Sequence, residues 1–404
     1  MLLPLWETSS EMTKTLIPLL LLLAGIHFLV DTFACLMQPL WPDLEKRLEL
    51  GLGSVLWLFA LWSLTTSFGQ LGFGLLADRF PARWWIWTMP AIAIVCLSCL
   101  GLSESPFITA LVLVIGGLAI AAFHPEAAAT AGACFPDHRS QAMSVFALAG
   151  YLGQSFGPLY SGFVTEKFGY GGLIWGIAWG LGILLLIAIG LGRCEFPQRV
   201  VYQSTPKVHE LIGGKWKVVC LLVLTGTLRV GVVLGVPLAL AFVLDSRQAS
   251  FSETGQVLSA FMFGIGAGGI ACALFIRRKN ERFVLWLFPL LSIPILVTLG
   301  LLKGLLLSLA VATTGLLIGI TLPIFISYGQ QLLPERQRVA SSLTMGVTWG
   351  IGSALIAGMM WLLRRSGHVE WSFAIYGVMV LVSGIFCLLL PHLPLPTRRS
   401  ESGL

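Results

Sequence analysis

Residues Pro106–Gly132 read PFITALVLVIGGLAIAAFHPEAAATAG, and the fold turns on where this run ceases to be a membrane span. Ending it after Phe123 leaves 18 residues, short of the roughly 20 that cross a bilayer comfortably. The Ala-rich segment that follows holds no turn chemistry before Pro136-Asp137. The spacing therefore predicts one helix running to about Gly132. His124, Pro125 and Glu126 then fall inside the span, roughly 10–15 Å from its inner end at 1.5 Å per residue. Pro125 removes one backbone hydrogen bond there, which is tolerated where neighbouring helices or cavity water satisfy the freed carbonyl. A helix that simply ends at Phe-His-Pro-Glu on the inner surface is the competing reading.

The rest of the chain asks for the same solvent. Of 404 residues, 56% are hydrophobic and 11% charged, with mean hydropathy +0.88, which excludes a water-soluble globule. Apolar segments lie near 15–41, 53–77, 84–102, 106–133, 140–164, 170–192, 216–243, 254–276, 283–302, 305–331, 340–363 and 371–391. Lengths near 20 residues between short polar loops make these twelve transmembrane helices of an all-α membrane protein. Residues 1–14 carry Glu7, Glu11 and Lys14, and the run after Thr15 is too long for a signal core, so the first helix is expected to be retained. The net charge of +6 is spread over short loops, which gives no nucleic-acid face. Trp41, Trp84, Trp85, Trp216 and Trp371 fall near span ends, as aromatic belts do. Most of the eight cysteines fall within spans, and Cys96 and Cys99 read as packing rather than a metal pair. No metal and no cofactor is expected.

The longest connection, 193–215, separates spans one to six (1–192) from spans seven to twelve (216–404). With both termini in the cytoplasm, inner segments hold 17 of the 25 Lys and Arg, outer loops hold 7, and Arg229 lies within span seven. That bias sets the orientation, although Arg364-Arg365 runs against it. A weak internal repeat supports two halves. Phe135-Pro-Asp-His-Arg-Ser-Gln-Ala-Met-Ser-Val145 opens span five, and Leu333-Pro-Glu-Arg-Gln-Arg-Val-Ala-Ser-Ser-Leu343 opens span eleven. Pro, acid, base, Ala and Ser recur in register, and duplicated six-helix halves belong to one large transporter architecture.

Ionisable residues inside spans mark function by default. His27 and Asp31 stand one turn apart on span one. A carboxylate at that depth costs about 3 kcal/mol to insert. Arg229 needs an intramembrane acid or an anionic substrate as its partner. Gln38, Trp41, Tyr151, Gln154, Thr225, Tyr328, Gln330 and Trp349 are candidates for a pocket wall from span position alone. Between spans two and three, Gly74-Leu-Leu-Ala-Asp-Arg-Phe-Pro-Ala-Arg83 sets Asp78, Arg79 and Arg83 as a charge latch at the inner surface, with an ordinary positive-inside loop as the plainer reading. In span five, Gly153-Gln-Ser-Phe-Gly157-Pro158-Leu-Tyr-Ser-Gly162 lets helices approach closely and bends one of them.

The Gly74–Arg83 loop resembles that of the major facilitator superfamily, with Pro81 where a Gly is usual. The span-five segment is similar to an element found mostly in the exporters of that superfamily. His27-Phe-Leu-Val-Asp31, Phe123-His-Pro-Glu-Ala127 and the Gly-Pro span five together resemble the fosmidomycin-resistance branch of drug efflux proteins. The resemblance implies that spans one, four and seven line a central cavity, where the ionisable positions would converge. It also implies proton-driven export of a small, anionic or drug-like organic molecule from a monomer in a bacterial inner membrane. Asp31 and Glu126, tuned by His27 and His124, would exchange protons. Arg229 would meet substrate, and Gly153, Gly157 and Pro158 would serve the conformational change. Proton-coupled uptake is the alternative. An enzyme or receptor is disfavoured, because no nucleophile–base or metal motif and no extramembrane domain stand out.

Overall fold

The computed structural model describes residues 11–76, 82–135, 139–191, 194, 196, 214–333, 340 and 342–391. These form an all-helical protein. The first set comprises α1 (Glu11–Ala34), α2 (Trp41–Arg47), α3 (Val55–Leu76), α4 (Ala82–Cys99), α5 (Pro106–Cys134), α6 (Arg139–Phe168) and α7 (Trp175–Leu191). The second comprises α8 (Trp216–Ser246), α9 (Phe251–Phe275), α10 (Glu281–Thr298), α11 (Gly304–Gly319), α12 (Leu322–Leu332), α13 (Thr348–Ser366) and α14 (Trp371–Leu389). Helix is found in each of the twelve expected segments. Among the described residues, ten helical stretches are long and apolar enough to cross a membrane. The long helices α3 and α6 are not among the ten; α6 carries the polar and small residues that its interior position demands.

Residues Pro106–Cys134 form one helix with Pro125 inside it, so the Phe-His-Pro-Glu segment does not end the span. Three segments depart from simple helices. Span one stops at Ala34, passes through a 3₁₀ turn at Gln38–Leu40 and resumes as α2. Pro39 and Pro42 lack the N–H that an unbroken helix would need there. Span ten breaks between Gly319 and Leu322, just ahead of Pro323. Span eleven opens with a π-helical turn at Ser342–Val347. The aromatic belt also needs correction: Trp84, Trp216 and Trp371 are exposed, whereas Trp41 and Trp85 are buried. Trp41 meets Phe59 edge-on at 5.8 Å between centroids.

Helix α6 lies between α1 on one side and α9 on the other. Its two glycine-bearing faces explain how. A side chain at Gly153 would strike the Phe28 carbonyl of α1, and one at Gly157 would strike that of Thr32. On the opposite face, Gly162 stands against the Phe251 carbonyl, and Gly255 of α9 stands against that of Pro158. Backbone meets backbone at both seams. In lipid, such close packing replaces the hydrophobic drive that lipid tails remove.

Candidate functional site

The α6 seam delivers polar groups to Asp31. Its carboxylate is 5% exposed, and three helices converge on it. From α1, His27 Nε2 lies 3.4 Å from Oδ2. From α5, His124 Nε2 lies 3.1 Å from Oδ1. From α6, Gln154 Nε2 donates to Oδ2 at 2.8 Å. Both imidazoles are anchored from behind: His27 Nδ1 to the Phe146 carbonyl and His124 Nδ1 to the Ile120 carbonyl, each at 2.8 Å. Phe146 also stacks on the His27 ring at 4.0 Å between centroids. Gly150 forms the floor, because a Cβ there would run into His27 and Asp31. The imidazoles and carboxylate offer donor atoms within 4.8 Å of one another, a cluster that could hold a proton or another cation.

The other expected site residues take different places. Glu126, two residues past His124 on α5, is buried and accepts from Thr130 Oγ1 at 3.5 Å. Arg229 is not brought to Asp31 by any described hydrogen bond. Its Nη2 donates to the Leu285 carbonyl at 2.9 Å, to Ser383 Oγ at 3.2 Å and towards Cys387 Sγ at 3.3 Å, all in the second helix set. Tyr151 turns from the cluster side of α6 to Gly266 and Gly269 of α9. Gln38 donates to Cys35 Sγ, Tyr328 donates to the Pro391 carbonyl, and Thr225 donates to the Leu221 carbonyl. Trp349 packs against the core, and Gln330 lies on α12. Asp78 and Arg79 lie outside the described residues, as do the side chain of Arg83 and the surroundings of Gly74. A cavity of about 350 Å³ between α3, α4 and α5 is walled by apolar side chains including Phe73, Trp84, Trp85 and Leu118. Among the described residues, no ionisable side chain lines it.

Given its bonds, Arg229→Ala is expected to destabilise the protein, leaving the buried carbonyl of Leu285 without that donor. The cost should be about 1–3 kcal/mol, read as a lower melting temperature. A melting curve unchanged from wild type would show that these bonds do not hold the second set together.

Residues 20–357 match the family model of the Major Facilitator Superfamily. The chain belongs to this superfamily. It is 23% identical over 398 residues to the uncharacterized MFS-type transporter YfnC of Bacillus subtilis (strain 168), covering 95% of each chain. It is 22% identical over 370 residues to the fosmidomycin resistance protein of Escherichia coli (strain K12), covering 90% of each. Among solved structures, the nucleoside transporter NupG aligns with TM-score 0.74 at 12% identity, covering 92% of this chain and 99% of that one. A bacterial homologue of the human lysosomal transporter Spinster, inward-facing and unoccupied, aligns with TM-score 0.67 at 15% identity, covering 95% and 97%. The protein is thus a multi-pass secondary transporter of small molecules that works by alternating access.

For a transporter of this superfamily, contacts between the two helix sets decide which side is shut. Among the described residues, the polar links that join them include the following four. Arg364 of α13 pairs with Glu45 of α2, and its guanidinium lies 4.4 Å from the Phe242 ring centroid. Lys46 meets Asp245 at 2.6 Å. The Ser252 amide donates to Glu166 at 2.8 Å. Ser155 meets Ser259 at 2.9 Å nearer mid-depth. Three of the four stand at the α2 end, so the sets are clasped there. Glu45 is buried, whereas Lys46 is largely exposed, and a surface pair contributes little. The Glu45–Arg364 pair is therefore the stronger fastening. The sequence alone does not name this pair; its signal is Arg364-Arg365, a basic pair that runs against the charge bias expected from the loops.

Arg364→Ala is expected to loosen this end. A cysteine placed at Phe242, normally buried, should then react about tenfold faster with an impermeant maleimide, equal to ~1.4 kcal/mol. Unchanged labelling would remove the pair from gating.

Proposed function

We propose that this transporter is a proton-coupled antiporter that exports a small organic molecule, and that the His27–Asp31–His124–Gln154 cluster is its proton-exchange site. The observation that carries the reading is a buried carboxylate held between two imidazoles from different helices. Neither a carboxylate nor an imidazole is placed so deep without a partner or a use, and imidazole is the side chain whose charge changes near neutral pH. The small-residue seam that sets Gln154 on Asp31 also sets Tyr151 and Ser155 on α9. A change of charge at the cluster therefore bears on the contact between the helix sets.

In this reading residues 1–192 and 216–404 form the two moving halves, joined by the 193–215 linker, in a bacterial inner membrane with both termini cytoplasmic. The α2 end then faces outward, and the clasped arrangement is closed to the outside. Protons arriving from outside load the cluster, and binding of substrate from the cytoplasm helps discharge it inward. Glu126 serves as a second acidic group on the path along α5. The direction of transport rests on the name of the fosmidomycin resistance protein and on the exporter-like Gly153–Gly162 segment. Uptake of an organic anion is the second reading, and Arg229 favours it only if that side chain leaves Leu285 and Ser383 in another conformer.

The test is transport into proteoliposomes under an imposed pH gradient, screening small acids and drug-like molecules. Counterflow of protons with an exported compound is expected. Movement of substrate and protons in the same direction would establish uptake instead, and transport indifferent to the gradient would end the proton reading.

A further inference from the structure

Resting on the reading above, we infer that the Asp31 cluster is a two-proton site, and that the observed packing is its doubly protonated state. A backbone carbonyl can only accept a hydrogen bond. His27 Nδ1 faces the Phe146 carbonyl and His124 Nδ1 faces that of Ile120, so each Nδ1 carries a hydrogen. Each neutral ring then has its lone pair on Nε2. Both Nε2 atoms point at the Asp31 carboxylate, at 3.4 and 3.1 Å. With no further proton, two lone pairs face an anion in a buried site. With one, only a single contact is a hydrogen bond and the other remains repulsive.

With two protons both contacts of the carboxylate with the imidazoles become attractive. His124 Nε2 donates to Oδ1 and the Gln154 amide donates to Oδ2, while His27 Nε2, 3.4 Å from Oδ2, is the cation of an ion pair rather than of a hydrogen bond. The carboxylate bridges the two Nε2 atoms and offsets the repulsion of two imidazolium rings that meet edge-on with centroids 5.1 Å apart. Phe146, stacked on His27, adds a face that favours a cation.

The surrounding groups leave this count intact. On α1 the nearest titratable neighbour is Cys35, and on α6 it is Tyr151, both close enough to sense the Asp31 charge. From α5 the facing groups are His124 itself and, two residues beyond it, the buried Glu126, and α4, which also packs on α1, carries Cys96 and Cys99. Helix α7, which packs on α1, has no ionisable residue in its sequence. His124 is 21% exposed against 10% for His27 and 5% for Asp31. His124 is thus the member through which protons enter and leave, and its loss of a proton weakens the α5–α1 contact first. The two protons titrate as a coupled set with two macroscopic steps.

The test needs neither substrate nor gradient. Purified protein in nanodiscs is titrated from alkaline to acid, and the protons taken up are counted against the His27→Gln, His124→Gln and doubly substituted variants, each first checked for a normal melting curve. Counted down to a pH acid enough to protonate Asp31 in every variant, each single variant should take up one proton fewer than wild type, and the double variant two fewer. In parallel, ¹⁵N-labelled histidine spectra should show both residues as Nδ1–H tautomers in alkali and as imidazolium in acid. A difference of one proton for the double variant, an Nε2–H tautomer at either ring, or one equivalent of tightly bound metal in the purified protein would overturn the two-proton site. Because the count is made at equilibrium, it can fail while coupled transport stands, and it can hold where no coupled transport is found.

Discussion

Asp31→Asn is expected to lower pH-gradient-driven transport by about 100-fold, the upper range of a coupling free energy of 1–3 kcal/mol, while leaving the protein folded. The substitution keeps the shape of the side chain and removes its charge. The new amide nitrogen can donate to an imidazole Nε2, and its oxygen can still accept from Gln154, so packing between α1, α5 and α6 survives. The cluster, however, no longer holds an anion for protons to neutralise. The measurement is initial transport rate in proteoliposomes with and without the gradient, beside a melting curve. A variant that still responds to the gradient as wild type does would take Asp31 out of the mechanism. If Asp31→Asn protein fails to fold, loss of transport says nothing about coupling, which is why the melting curve is run first.

Gly153→Val should produce a large structural effect at the α1–α6 seam. The added Cβ would land on the Phe28 carbonyl oxygen, with the Phe28 carbonyl carbon and Cα close behind. Backbone cannot rotate out of the way as the tip of a flexible side chain can. Helices α1 and α6 would have to separate, at a cost of about 3 kcal/mol, the upper end for overpacking. The separation would also draw Gln154 off Asp31. Gly182→Ala is the matched control, because a Cβ there meets nothing within 4 Å. A clear fall in melting temperature is expected for Gly153→Val and none for the control. Equal melting of the two variants would show that the α1–α6 seam tolerates a side chain.

Much of this architecture is legible in the sequence because lipid imposes strong rules. Apolar runs of span length leave few choices of segment, and the run through Phe123-His-Pro-Glu126 continues as helix because no turn chemistry follows it. His27 and Asp31 share a helix face by their spacing alone, and their depth marked them as a site. What the sequence could not convey is which faces of separate helices meet. Gln154 entered only as a wall residue by position, yet it donates to Asp31. Phe146 and Ile120 contribute through backbone carbonyls, which leave no mark on residue identity. Gly150 matters through the side chain it lacks. Arg229 looked like a cavity cation because its span lines the cavity in this superfamily, but rotation about the helix axis turns it to Leu285 and Ser383. Helix rotation is set by packing with distant segments, and no local pattern in 226–231 encodes it.

The Glu45–Arg364 pair bears on how the protein is made. In the proposed orientation, with the α2 end outward, Arg364 would have to be carried across the bilayer during synthesis, although a basic loop is normally retained in the cytoplasm. Its acidic partner lies 319 positions earlier in the chain and has already been translocated when span eleven emerges. Glu45 can thus receive the guanidinium as it arrives, so that the first helix set, once assembled, helps to pull the last hairpin into its correct topology. Biogenesis of the second set would then depend on the first, and a chain lacking Glu45 would be prone to leave its final two helices inverted or degraded.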